Sequence, residues 1–277
     1  MTTEVIIQPF ARPEHQPFDL PGTEPSIVAF HGFLGTPAEL RPLARTLASR
    51  GAEVRAPLLP GFGTDLARLR SVTAEDWIGF GMALWREACA RSQGTGVLLG
   101  FSMGAAIALQ LAAAYPPSKL VLLAPFTRLL PGDWRVPFLP LARRVIRELR
   151  PFKDVDFSSP VIRQVFGSLD PDLDLEDPSV QAVLRDVRLP LSALDELRRT
   201  GKKALEAAPR VRCPVLVVQG HDDQTVPAWT TRKLVQRLGG PVTMVEVVGD
   251  HQLVRPDHPS AALVYRVVDR FLSGDWP

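Results

Sequence analysis

One serine of this chain lies between two glycines, in the run Gly100-Phe101-Ser102-Met103-Gly104. A short apolar run at 97–99 precedes it, and an alanine-rich run at 105–109 follows. This pattern is typical of a sharp turn from a strand into a helix, which needs small flanking residues and presents the serine hydroxyl. A serine hydroxyl attacks a carbonyl carbon once a base takes its proton. The sequence therefore predicts a nucleophile at Ser102.

Candidates for the base and for its acidic partner come later in the chain, each in a loop after an apolar run. Asp222 and Asp223 follow the run at 215–219, and His251 follows the run at 242–247. The order serine, acid, histidine is the one that accompanies a nucleophile at a strand-to-helix turn of this kind. A second histidine, His258, lies farther on at the start of the last predicted helix, where a capping or surface role is expected. We therefore predict His251 as the base, with either aspartate as its partner.

The elements that must position these residues alternate between short apolar strands and helices. This alternation predicts an α/β fold with a mostly parallel sheet and helices on both faces. The predicted strands are 26–30, 52–56, 120–123, 215–219 and 242–247, with an elbow strand and helix over about 96–114. The other predicted helices are 74–91, 228–238 and 259–271, with one that begins near Thr36.

The first of these helices has a clear start signal. Thr36 and Glu39 have the spacing of a capping box, and Pro37 occupies the first helical position. Gly51 is expected to end this helix. Thr73 is expected to cap the helix over 74–91.

The alternation stops between residues 127 and 210. This segment is rich in proline and scattered charge, and it contains helical pieces predicted at 140–149 and 192–207. We therefore predict a first core part at 1–126, an inserted segment at 127–210 and a second core part at 211–277.

Composition restricts the possible partners and compartments. The 277 residues include 32 basic and 30 acidic ones, and the net charge of +2 gives no reason to expect nucleic acid or an anionic membrane as partner. The amino terminus lacks the basic start and long apolar core of a secretory signal, so a cytoplasmic protein without stable membrane insertion is expected. Cys89 and Cys213 are expected to be buried and reduced.

Five motifs together resemble the α/β-hydrolase superfamily, in particular the small bacterial carboxylesterases and monoacylglycerol-lipase-like enzymes. They are His31-Gly32-Phe33-Leu34-Gly35, Pro60-Gly61-Phe62-Gly63, the serine turn at 100–104, the Gly-x-x-Asp-x-x-Val-Pro run at 220–227 and Gly249-Asp250-His251. The resemblance covers nearly the whole chain outside the insertion. It implies an α/β-hydrolase fold with a mainly helical cap formed by the insertion, which would also supply a pocket for an acyl chain.

The same resemblance assigns roles to individual residues. The Asp-x-x-Val-Pro spacing selects Asp223 as the acid of the triad. The backbone amides of Phe33 and Met103 would form the oxyanion hole, and His31 would support the oxyanion loop rather than act as a base. Phe62 departs from the family pattern, which usually has a histidine at this position near the entrance of the site.

The expected activity is hydrolysis of carboxylic esters, either short to medium acyl esters or monoacylglycerols, through an acyl-enzyme. No cofactor or metal is expected, because this chemistry requires none. His15 and His221 are expected to be surface or loop residues, since no second ligand lies at helical spacing from either. A thioesterase, amidase, lactonase or carbon–carbon bond hydrolase would use the same residues, since a fold does not fix the substrate. A ligand-binding protein without catalysis is the alternative from another functional class. The oligomeric state is left open.

Overall fold

The computed structural model describes residues 8–92, 96–129, 132–134, 136–159, 162–163, 166 and 174–275. Residues 1–7, in the amino-terminal run on which the cytoplasmic expectation rests, and parts of the predicted insertion lie outside these ranges. The strands are β1 Phe18–Leu20, β2 Ser26–Phe30, β3 Glu53–Ala56, β4 Val97–Phe101, β5 Lys119–Leu123, β6 Glu148–Leu149, β7 Leu189–Pro190, β8 Val215–Gly220 and β9 Val242–Val247. The α-helices are α1 Arg41–Ala48, α2 Ala74–Arg91, α3 Met103–Ala114, α4 Leu139–Ala142, α5 Pro178–Arg185, α6 Leu191–Ala207, α7 Ala228–Val235 and α8 Ala261–Ser273.

Seven strands form one sheet in the order β1-β3-β2-β4-β5-β8-β9. Only β1, at one edge, pairs antiparallel with its neighbour, and the other five pairings are parallel. Parallel strands need crossover connections, which the helices between them supply. The mostly parallel sheet predicted from the sequence is thus confirmed.

Side chains that alternate along the strands form two separate cores, one on each face of the sheet. Val28, Phe30 and Leu98 pack on one face, together with side chains of α2, α3 and α6. Ile27 and Leu99 point to the other face and pack with side chains of α1 and α8. The central strands are buried on both faces, which explains their continuous apolar sequences.

The topology brings all the motif loops to one edge of the sheet. Strands β2, β4, β8 and β9 are parallel, and each is followed at its carboxyl end by one of the loops that contain His31, Ser102, Asp223 and His251. This is the edge at which α/β sheets place their sites.

The predicted start of the first helix is wrong. Residues Pro37–Glu39 form a separate 3-10 turn, and α1 begins only at Arg41. The Thr36 hydroxyl accepts from the Ala38 amide, while the Glu39 carboxylate turns away and accepts from the amide of Gly32 at 2.8 Å. The predicted capping box therefore does not form, because the Glu39 carboxylate accepts a hydrogen bond from Gly32 instead. The capping box at Thr73 does form, with Asp76 as its acidic partner.

The prediction of a helix over 140–149 is also wrong. Only Leu139–Ala142 is helical, and Glu148–Leu149 instead pairs antiparallel with Leu189–Pro190. The backbone of this segment finds hydrogen bonds in a distant strand, and these replace the local helical ones. The second predicted helix of the insertion exists, as α6.

The insertion contains two kinds of packing. Phe157, Phe166 and Leu184 form a small cluster of their own. Helix α6 instead packs against α3 in the main core, where the amide of Gln110 donates to the Thr200 carbonyl at 3.2 Å. The domain boundaries at 126 and 210 remain predictions, and the packing of α6 favours an earlier end for any cap.

Cys89 and Cys213 are buried and unpaired, as expected. Burial raises the pKa of both thiols to about 11, so neither is activated as a nucleophile. Within the described ranges, no helix is long and apolar enough to cross a membrane.

The turn around Ser102 requires a close approach of backbone to backbone at Gly104. A Cβ at Gly104 would overlap the carbonyl oxygen of Phe30. We expect Gly104→Ala to lower the free energy of unfolding by more than about 4 kcal/mol or to prevent folding, because backbone would have to move. Urea unfolding measures this effect. The matched control is Gly79→Ala in α2, where an added Cβ meets nothing within 4 Å and a gain of about 0.5–1 kcal/mol is expected. A Gly104→Ala protein of normal stability would contradict the close approach.

Candidate active site

Ser102 occupies a strained position between β4 and α3. Its φ of 53° lies in the left-handed region, which residues other than glycine rarely adopt. The surrounding backbone holds it there, since its amide donates to Leu123 at 2.9 Å and its carbonyl accepts from Phe126 at 3.1 Å. Strain of this kind persists only where the fold imposes it, and it is common at functional sites.

His251 lies between Ser102 and Asp223. Its Nε2 is 3.0 Å from Ser102 Oγ, and its Nδ1 is 2.7 Å from Asp223 Oδ2. A carboxylate only accepts hydrogen bonds, so Nδ1 carries the proton and Nε2 is left to accept from the serine hydroxyl. The ring of Phe101 lies 5.1 Å from the imidazole and restricts its tilt. The structure therefore brings together the three side chains that the sequence analysis selected.

Asp223 is surrounded by donors. Oδ1 accepts from the amides of Thr225 and Val226 at 2.9 and 2.7 Å, and Oδ2 accepts from Gln219 Nε2 at 3.0 Å as well as from His251. Its neighbour Asp222 is exposed. The Asp-x-x-Val-Pro spacing thus has a physical basis, because the amides of the turn that it forms donate to its own aspartate, Asp223.

Gln219 is a second buried residue of this network, and the sequence analysis missed it. Its Nε2 donates to Asp223, while its Oε1 accepts from the Thr231 hydroxyl at 2.6 Å. A polar residue at the end of the apolar strand β8, four positions before Asp223, is the signal that could have revealed it. Gln219 thus holds Oδ2 of Asp223, while the loop amides hold Oδ1.

Phe33 and Met103 provide amides at the same edge of the sheet. Met103 is the first residue of α3, where amides have no partner within the helix and the helix dipole favours negative charge. Phe33 lies in a tight turn closed by a bond of 3.2 Å from the Gly35 amide to the Gly32 carbonyl, with Leu34 at φ 59°. The Gly32 carbonyl and the Phe33 amide belong to one planar trans peptide, so they point in opposite directions.

His31 holds this peptide from behind. The Leu59 amide donates to His31 Nε2 at 3.0 Å, which leaves Nδ1 as the donor to the Gly32 carbonyl at 2.9 Å. Complete burial lowers the pKa of His31 to about 4, with the bond to Gly32 acting in the opposite direction. His31 is therefore neutral at physiological pH, and its position supports the expected role beneath the loop.

Phe62 fills the space under this turn. It is fully buried, its ring stacks on Trp77 at 5.6 Å, and it contacts the rings of His31 and Phe33 edge-on. Phe62 therefore lies inside the core rather than at the entrance of the site. An apolar side chain fits here because its neighbours are aromatic.

His258 is buried, so a surface role is wrong, while a local capping role is right. Its Nδ1 accepts from the Ser260 amide at 3.1 Å just before α8. A Cβ at Gly249 would overlap its ring. His258 therefore packs behind the loop that carries His251.

His15 is likewise buried, in a short 3-10 helix, contrary to the expected surface or loop position, and its Nδ1 lies 2.8 Å from the Thr36 hydroxyl. His221 is exposed, as expected. Among the residues that the structure describes, no group of three or more histidine, cysteine, aspartate or glutamate side chains is placed to hold a metal ion.

A cavity of about 480 Å³ opens beside Leu34, between the turn and the insertion. Apolar side chains of both parts line it, among them Leu66, Leu69, Phe152 and Leu189. Four charged residues also line it, namely Arg70, Glu148, Asp186 and Arg188. Its volume lies in the range of small-molecule sites.

The solved structures that are similar to this fold include the following two. The structure reported for LipS and LipT, two metagenome-derived lipolytic enzymes, has a TM-score of 0.75 at 22% identity and covers 95% of this chain and 98% of that one. The crystal structure of the monoacylglycerol lipase of Paleococcus ferrophilus has a TM-score of 0.68 at 17% identity and covers 94% and 100%. At these identities the likeness shows the α/β-hydrolase fold.

Comparison of the amino-acid sequence with known proteins identifies a relative and the family. The thermostable monoacylglycerol lipase of Bacillus sp. (strain H-257) is 26% identical over 215 residues, and the match covers 76% of each chain. The family model Hydrolase_4, described as serine aminopeptidase, S33, matches residues 22–250 and so includes Ser102 and Asp223. This protein therefore belongs to the Hydrolase_4 family of serine-hydrolase-type α/β-hydrolases.

Proposed function

We propose that this protein hydrolyses carboxylic esters, with Ser102 as nucleophile, His251 as general base and acid, and Asp223 as the residue that orients His251. One observation carries this proposal: the unbroken chain of hydrogen bonds from Ser102 Oγ through the imidazole to Asp223, at 3.0 and 2.7 Å. Nucleophile, base and orienting acid within hydrogen-bond reach are the features by which such a triad is recognised.

The reaction proceeds in two halves. His251 Nε2 takes the Ser102 proton as Oγ bonds to the ester carbonyl carbon, and the carbonyl π electrons move to oxygen. The tetrahedral intermediate collapses, the bond to the alkoxy oxygen breaks, and His251 gives its proton to the leaving alcohol. Water then repeats the sequence on the acyl-serine, so that the acid is released and Ser102 regains its proton.

The amides of Phe33 and Met103 are proposed to bind the oxyanion. Backbone amides held in place before the reaction stabilise the developing charge without reorganisation. His31 fixes the Gly32–Phe33 peptide through the Gly32 carbonyl at 2.9 Å, which directs the Phe33 amide away from the core. The helix dipole of α3 adds to the stabilisation of the oxyanion by the Met103 amide.

The proposed substrates are short to medium acyl esters or monoacylglycerols. The 26% identical relative is a monoacylglycerol lipase, which supports this class. The cavity beside Leu34 is lined mainly by apolar side chains and adjoins the turn that contains Phe33, while Ser102 and His251 do not line it. An uncharged acyl chain gains free energy from burial of about 25 cal/mol per Å² in such a cavity.

A covalent probe and a substrate series test this proposal together. We expect a fluorophosphonate to label the wild type on the tryptic peptide that contains Ser102, as mass spectrometry can show. p-Nitrophenyl esters from C2 to C16, monoacylglycerols, acyl thioesters and amino-acid p-nitroanilides measure the substrate class in parallel. We expect the highest kcat/KM on esters of C4 to C10 acyl groups.

The other possible results either overturn the proposal or change the proposed substrate class. Neither labelling nor turnover of any ester would overturn the serine-hydrolase proposal. Labelling of Ser102 with preference for thioesters or p-nitroanilides would keep the nucleophile and replace the ester class by a thioesterase or a peptidase.

A further inference from the structure

Exposed apolar side chains are concentrated in one short stretch of the insertion. Eleven large hydrophobic side chains are exposed among the residues that the structure describes, and five of them lie between residues 134 and 146. We call these five the apolar patch, and they are Trp134, Phe138, Leu141, Val145 and Ile146. Trp134 is 76% exposed and Val145 84%. Single exposed apolar side chains are ordinary on a protein surface, whereas a cluster of them marks a contact surface.

Three members of the apolar patch share one face of a helical segment. The helical hydrogen bonds of α4 continue past its end as far as Ile146, whose amide donates to the carbonyl four residues back at 2.8 Å. Phe138, Leu141 and Val145 are three and four residues apart, and side chains at this spacing lie on one side of a helix. The ring of Trp134 contacts that of Phe138 edge-on at 6.2 Å and so extends the same face.

The opposite face of this segment is attached to the core. Arg143 is two residues from both Leu141 and Val145, which places it on the other side of the helix. Its Nη1 lies 3.0 Å from Asp195 Oδ2 and 3.0 Å from Glu196 Oε1, two buried carboxylates of α6. The apolar patch is therefore presented outward by a segment that ion pairs hold from behind.

The segment that carries the patch is strongly basic. Residues 134–150 contain five arginines and one glutamate, a net charge of +4, whereas the whole chain carries +2. The glutamate, Glu148, is paired with Arg188 at 3.4 Å. Arg144 and Arg147 are exposed, and within the described ranges they have no ion-pair partner. A second copy of the chain would bring like charges together here, so the charge of this face favours an anionic partner.

We propose that the apolar patch binds the surface of a membrane that contains anionic lipids. The apolar side chains enter the boundary between headgroups and acyl chains, and Arg144 and Arg147 contact the phosphate groups. Trp134 suits this position, because tryptophan favours the headgroup region. The contact is peripheral and needs no helix that crosses the membrane. The inference goes beyond ester hydrolysis and does not depend on it, since binding can be measured without turnover.

Co-sedimentation of the full chain with lipid vesicles tests the proposal. We expect at least about tenfold tighter binding to phosphatidylcholine vesicles that contain about one third phosphatidylglycerol than to vesicles of phosphatidylcholine alone. An increase in salt from about 0.1 M to about 1 M shortens the Debye length from about 10 Å to about 3 Å. It should therefore remove most of the preference for anionic vesicles.

Two variants separate the apolar contribution from the charge. Val145→Asp places a carboxylate within the apolar patch and should weaken binding to anionic vesicles by at least about tenfold. Arg144→Glu combined with Arg147→Glu should weaken it by about 25-fold or more, because each basic residue near the surface contributes about fivefold. All three side chains are exposed, so thermal unfolding should match that of the wild type.

Matched controls carry the same substitutions elsewhere on the surface. Val248→Asp replaces another exposed valine, and it should bind anionic vesicles within about twofold of the wild type. Arg50→Glu combined with Arg237→Glu changes the net charge by the same amount at two other exposed arginines. It should lose much less affinity than the double variant at Arg144 and Arg147.

Four results would overturn the proposal. Absence of binding to anionic vesicles would refute it directly, whether or not the protein hydrolyses esters. Equal binding by the wild type and Val145→Asp would exclude the apolar patch from the contact. Equal binding to neutral and anionic vesicles would refute the role of the arginines. A wild type that binds no vesicle and is a dimer by light scattering, with a monomeric Val145→Asp variant, would replace the membrane by a second copy of the chain.

Discussion

Replacement of Ser102 by alanine should lower kcat for ester hydrolysis by about six orders of magnitude, as loss of the nucleophile does in other triads. The proposed acyl-enzyme needs the Oγ atom, and alanine leaves His251 with no proton to take. Alanine has the same Cβ as serine, so the strained φ of 53° adds no new clash. Thermal stability should therefore change little, and fluorophosphonate labelling should be lost.

Ser71→Ala is the control for this variant. Its hydroxyl donates to the Arg68 carbonyl on the exposed end of a 3-10 helix, far along the chain from the serine turn. It should keep full activity and full labelling. A Ser102→Ala enzyme that retains more than about one hundredth of the wild-type rate would mean that another group is the nucleophile.

Asp223→Asn should lower kcat by about 10⁴-fold while leaving the fold intact. All four neighbours of this carboxylate are donors: two loop amides, Gln219 Nε2 and His251 Nδ1. An asparagine NH₂ group would face two donors in either orientation. The imidazole can relieve one of these contacts if its proton moves from Nδ1 to Nε2. Nε2 then has no lone pair with which to accept the Ser102 proton.

The adjacent variant Asp222→Asn provides the comparison. Asp222 is exposed and differs from Asp223 by one position in the sequence. Steady-state kinetics on one ester should give wild-type values for it. If Asp222→Asn lost more activity than Asp223→Asn, the assignment of the acid would be wrong.

Local sequence patterns predicted the sheet and the loops that carry the chemistry. The strands predicted at 26–30, 120–123 and 242–247 match the observed β2, β5 and β9 to within one residue. Such patterns are reliable because a strand buried on both faces must be apolar throughout, whatever its neighbours are. The loops then follow at one edge of the sheet, since parallel strands share a direction.

The errors arose where a distant partner competes with a local one. Glu39 has the spacing of a helix cap, and its carboxylate instead binds Gly32. Residues 148–149 lie in a stretch predicted as helix, and they pair instead with 189–190. Local spacing specifies what a backbone group can bond to nearby, but it contains no information on a stronger partner elsewhere in the fold.

The sequence by itself determined which side chains are available at each loop: a serine between glycines, an aspartate in a turn that caps it, and a histidine after a strand. The tertiary structure decided which of them meet, with His251 at 3.0 Å from Ser102 and His258 buried behind the loop. It also revealed Gln219 as a hydrogen-bond partner of Asp223, and Glu39 as the acceptor of the Gly32 amide. The physical reason is that hydrogen-bond partners and the burial of a charge depend on residues far apart in the chain, which only the folded sheet brings together.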